Sequence, residues 1–199
     1  VLSTSQVEAL ETADLAVISP DVIRGFTTAA IGALASAQVA ALTSTQLSML
    51  ATGQVAALST AALAGLETVD IAAFSSAQIA ALTTNQLPQL STAQVTAIET
   101  ADLAALGTNA LRSLTVEQIA GLGTAQVVAL SSTQVGALTT GQVGALTTRQ
   151  IVALETADIV ALSSAQVGAL STAQLVALTT VQIGARSEEH TSELQSQST

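Results

Sequence analysis

Four short stretches carry the side chains best suited to chemistry: Glu11 with Asp14, Glu67 with Asp70, Glu99 with Asp102, and Glu155 with Asp158. In each, a glutamate precedes an aspartate by three residues, and neither occurs at these two repeat positions without the other. Carboxylates three apart on a helix share a face, and hard cations take oxygen ligands, so these eight residues are weak candidates for binding calcium. Two carboxylates fall well short of the roughly six to eight oxygens that calcium takes, so neighbouring turns would have to contribute. The plainer reading is that one unit type was copied as a block. It places negative charge at a helix start, where the helix dipole favours it.

Catalysis has little to work with. Residues 1–184 contain no His, Cys, Lys or Tyr. No ordinary neutral-pH base therefore stands beside a hydroxyl nucleophile, and an enzyme is not expected. No cofactor is implied. A column of threonines recurs every eighth residue (Thr52, Thr60, Thr68, Thr84, Thr92, Thr100, Thr108), interrupted by Pro20, Val116 and several serines. Regular threonine arrays on solenoids are similar to ice-binding faces, which makes such a face the alternative function.

These residues sit on a strict eight-residue repeat. An aliphatic residue stands at Val7, Leu15, Ile23, Ile31, Val39 and every eighth position to Ile183, and a second apolar residue follows three later, from Leu10 to Leu178. A register without insertion or deletion means that each unit is a structural step of fixed length. One continuous α-helix is excluded: eight residues turn it about 80° past two full turns, so no face stays buried. A strand keeps its faces in register, but Ala and Gln are poor strand formers.

One very short helix per unit fits best. Ser or Thr followed three residues later by Gln is a capping box, as at Ser75/Gln78, Thr83/Gln86, Ser91/Gln94, Ser131/Gln134 and Thr139/Gln142. Pro20 falls at a first helical position, with Ser19 as its N-cap. Pro88 falls past the first turn and predicts a local distortion. Helices this short do not persist alone, so the partners of each repeat are its neighbours in the same chain. Ala9, Ala33, Ala41, Ala57, Gly65 and Ala73, before each apolar residue, would let successive helices approach closely. The expected fold is all-α, a solenoid-like superhelix of short capped helices over residues 1–185, with a β-solenoid as the alternative.

Composition narrows the partners. Hydrophobic residues make up 49% of the 199, yet there is no Trp, Tyr or Cys, and only two Phe and one Met. Net charge is −10 with four Arg and no Lys, which argues against nucleic acid, since phosphate binding needs clustered cations. Arg24, Arg112 and Arg149 read as solvated. No apolar run approaches the ~18 residues of a membrane span.

Three resemblances complete the reading. "LTTRQIVAL" and "LTVEQIAGL" resemble the opening helix of the TAL effector repeat, which implies helix capping and nothing about DNA. The array over 1–184 is similar to octapeptide-repeat regions of very large, adhesin-like bacterial surface or secreted proteins. That resemblance implies a structural stalk or spacer at the cell surface or outside the cell. Residues 186–199, RSEEHTSELQSQST, resemble a translated sequencing adapter. They are expected to be a non-native, disordered tail behind a fragment of a longer array.

Overall fold

In a computed structural model of the chain, which describes residues 2–187, the octad Thr139–Leu146 shows how one repeat folds. Thr139 is extended (φ −72°, ψ 159°), Thr140–Ala145 is α-helix, and Leu146 returns to extended backbone (φ −56°, ψ 135°). Two extended residues thus separate one helix from the next. The corner needs no left-handed residue, for among the described residues no φ is positive and no peptide bond is cis. This is why octads join without glycine at fixed places. The last turn closes on a tight bond, Leu146 N–H to the Val143 carbonyl at 3.2 Å.

The pattern runs through the described residues as twenty-one α-helices of four to six residues, from Thr4–Glu8 to Thr172–Ala177. A further helix covers 180–187, and no strand occurs among the described residues. The all-α expectation is met, and the β-solenoid is set aside.

One unit departs from the α-helix. Around Pro88 the chain makes a turn over 84–86 followed by the 3-10 helix Leu87–Gln89. A proline there cannot donate to an i−4 carbonyl, and the distortion expected from sequence follows. Pro20 also stands where expected, first in the helix Pro20–Arg24. Its N-cap Ser19 makes no side-chain capping bond, so proline geometry alone starts that helix.

Contacts divide the chain into two compact units, Val1–Leu106 and Gly107–Thr199. In each, a helix packs against the helix three octads away, as Thr28–Gly32 does on Thr52–Ala57 and Ser132–Ala137 on Thr156–Ala161. Each unit is therefore wound as a solenoid. The two apolar columns form its core: Val143, Ile151 and Leu47 are wholly buried, and Leu146, Leu154 and Leu50 nearly so. Together, two such side chains contribute about 3–6 kcal/mol per octad on burial.

Small residues do permit close approach, but between helices three octads apart rather than successive ones. A Cβ at Gly32 would lie 2.9 Å from the Ala57 carbonyl oxygen, and one at Gly136 would lie 2.8 Å from that of Ala161. At Gly65 a Cβ would run into the Ser36 carbonyl oxygen. Arg186 and Ser187 continue the last helix; the expectation of a disordered tail otherwise falls on 188–199, outside the described residues.

Candidate functional site

The polar residue that does most in this molecule is the glutamine of each octad. Gln142 is 1% exposed. Its Oε1 accepts the Thr139 N–H at 2.8 Å, and its own N–H donates to Thr139 Oγ1 at 3.2 Å, completing the capping box. Its Nε2 then donates to the Leu111 carbonyl at 2.9 Å and to the Leu114 carbonyl at 2.8 Å, 31 and 28 residues back. One amide thus caps its own helix and bonds to the C-terminal end of a helix four octads earlier. Only a primary amide does this with nothing left over: its oxygen accepts while its two N–H groups donate.

The same geometry recurs along both units. Gln46 donates to Leu15 and Ile18 at 2.8 and 2.6 Å, and Gln78 to Leu47 and Leu50 at 2.9 Å each. Gln182 donates to Ile151 and Leu154 at 3.0 and 2.8 Å. In the distorted proline unit Gln86 still reaches Val55 and Leu58, at 2.9 and 2.8 Å. Among the described residues no buried side-chain nitrogen or oxygen lacks a partner.

The capping boxes read from sequence are present at Ser75, Thr83, Ser91, Ser131 and Thr139. The hydroxyl is nonetheless the dispensable half. Where Ala35, Ala51 or Gly123 takes the N-cap, the glutamine still accepts that residue's N–H, at 2.9, 2.7 and 2.9 Å. Sequence reasoning found this local bond and missed the longer one. The available signal was that glutamine persists in octads that have no hydroxyl to box with.

The glutamate–aspartate octads use the same position differently. Glu11, Glu67, Glu99 and Glu155 are N-caps without a side-chain capping bond, and all four are exposed. Asp70, Asp102 and Asp158 are buried, whereas Asp14 is exposed. Asp70 Oδ2 accepts the Glu67 N–H at 2.9 Å, and Asp158 Oδ2 that of Glu155 at 2.9 Å. Asp70 Oδ1 also accepts the Ser44 hydroxyl at 2.7 Å, and Asp102 Oδ1 accepts that of Ser76. Each pair thus splits into a solvent-facing glutamate and, after the first turn, a buried aspartate. No group of three or more His, Cys, Asp or Glu among the described residues is placed to hold a metal ion.

The threonines Thr52, Thr60, Thr68, Thr84, Thr92 and Thr100 are exposed and Thr108 is half-buried. Because helices stack three to four octads apart, threonines one octad apart do not lie over one another. Arg24, Arg112 and Arg149 are exposed. Arg186 is not: its Nη1 donates to the Ile159 and Leu162 carbonyls at 2.8 and 2.7 Å, the carbonyl pair that a glutamine would take in a regular octad.

A helical solenoid whose layers are joined by buried capping glutamines defines a class of repeat protein. The chain belongs to the ALTTAQ repeat family. The family model matches residues 7–44, 63–97, 95–132, 120–148 and 151–185, and the motif stands nearly verbatim as ALTTGQ at 137–142 and ALTTRQ at 145–150. No curated protein gives a significant match.

Proposed function

We propose that the array is a structural spacer, a stalk region of a large exported bacterial protein of the adhesin-like kind. The observation that carries this reading is the glutamine ladder. Each turn is the binding partner of the next, and the buried polar groups are consumed in holding turns together. The open groove lined by Ala64, Leu66, Glu67, Thr68, Gln89, Ser91 and Gln94 brings a single carboxylate. The acidic composition speaks against a nucleic-acid partner. No helix among the described residues is long and apolar enough to cross a membrane. Placement outside the cell rests on the likeness to octapeptide-repeat regions of surface proteins.

Two measurements test the proposal. Arrays lengthened by one, two and three equal blocks of octads should gain maximum dimension in equal steps in small-angle scattering, about 10 Å for each added helix layer. Growth without such steps would contradict a spacer. Antibody raised against the array should label intact cells of the source; labelling only after lysis would contradict export.

A further inference from the structure

We propose that the buried aspartates and the serines they face fix the stacking register of the array. The second residue of the octad, the first after the N-cap, is a threonine in most repeats and a serine at only Ser36, Ser44, Ser76, Ser132 and Ser164. Each of the three buried aspartates stands 26 residues after one of these serines: Asp70 after Ser44, Asp102 after Ser76, Asp158 after Ser132. Two of the three are directly bonded, Ser44 Oγ to Asp70 Oδ1 at 2.7 Å and Ser76 Oγ to Asp102 Oδ1. Three of the five serines that interrupt the threonine column therefore stand at this spacing from an aspartate.

Aspartate is a poor occupant of this position by energy alone. It repeats the reach back to the N-cap N–H that glutamine makes, but it has no N–H to give to the carbonyls four octads back. It also places a carboxylate under cover with neutral donors only. Buried polar groups retained at a cost in stability are best known for specifying register. Register is what this sequence otherwise leaves open. Each glutamine would meet an equivalent pair of carbonyls if a turn took one octad more or one fewer. A turn longer by one octad would keep a serine only for Asp70, opposite Ser36, and set Asp102 and Asp158 against Thr68 and Thr124. A turn shorter by one octad would set all three against Thr52, Thr84 and Thr140. Serine offers its hydroxyl without the γ-methyl that threonine adds. Only the 26-residue spacing seen in the bonded pairs of Asp70 and Asp102 offers a serine to every buried aspartate.

The chain lacks cysteine, so introduced pairs report stacking without background. A Cβ at Gly53 lies 3.7 Å from Thr28 Cγ2, which identifies a facing pair 25 residues apart. Thr52→Cys with Ala77→Cys is the same pair three octads on and reports the native register. Thr60→Cys with Ala77→Cys reports a turn one octad shorter. Each pair is placed in the full chain and in the full chain carrying Asp70→Gln and Asp102→Gln, refolded from denaturant and then oxidised. The parent should cross-link in the native pair alone, and the glutamine variant should raise the slipped cross-link at least tenfold. A slipped cross-link that stays at the parent level would overturn the proposal. Melting temperature supplies the second reading: the glutamine variant should melt at or above the parent, and a lower value would make the pairs stabilisers rather than register devices.

Discussion

At the scale of the residue, one amide with both an acceptor and donors joins local capping to long-range stacking. Gln142→Ala leaves the Thr139 N–H and two carbonyls without their partner, and the array should lose about 2–4 kcal/mol in urea unfolding. Gln6→Ala is the internal control. Gln6 is exposed and caps Ser3 at 2.9 Å in the first turn, so the same truncation should cost well under that. Equal losses at the two positions would remove the interlayer bond from the explanation. Glycines separate in the same way. Gly65→Ala drives a methyl into the Ser36 carbonyl and sets it 3.2 Å from the Ala40 nitrogen, both backbone atoms, and should cost about 1–3 kcal/mol. Gly168 lies in the helix Ser163-capped at Ser164–Gly168 and has nothing within 4 Å of its Cβ position. Gly168→Ala should therefore add about 0.5–1 kcal/mol, as alanine for glycine does in a free helical position. Thermal melts of the two variants should move in opposite directions.

At the scale of the element, a helix of five or six residues survives because its cap and its neighbours are supplied by the same side chain. Pro88 shows how far the element can deform. The α-helix is lost, yet Gln86 keeps all its bonds, so the ladder tolerates a 3-10 turn beneath it. Pro88→Ala should raise helicity in circular dichroism while leaving the melting temperature within a few degrees; a large change would mean that the distortion bears on stacking. The existence and length of these helices were legible in the sequence, because N-caps, Pro20 and the apolar period all pointed to one helix per octad. The way they stack was not legible. A strict repeat makes every octad equivalent, and hydrophobic periodicity does not say which equivalent neighbour a residue meets. The aspartates at 70, 102 and 158 were visible as candidate calcium ligands, but their serine partners lie 26 residues away, a separation that acquires meaning only once the winding is known. Arg186 was set apart from the array on composition, whereas its guanidinium bonds to the carbonyls of Ile159 and Leu162 within it.

At the scale of the molecule, length changes should be quantised. Removing residues 163–170, one whole octad outside every serine–aspartate span, should leave helicity per residue unchanged. Removing 163–166 puts the following glutamines out of phase with their carbonyls and should unfold what comes after. The threonine column belongs at this scale too. Winding sends successive threonines to different sides, and thermal hysteresis at millimolar protein should be absent; its presence would revive an ice-binding face. Buried glutamine amides hold one turn to the next. The most direct test of this is exchange of the side-chain amide protons by NMR on glutamine-labelled protein. Slow exchange is expected for Gln46, Gln78, Gln142 and Gln182, and free exchange for exposed Gln6 and Gln89. Free exchange at all of them would contradict the ladder, and with it the explanation of why the octads stack.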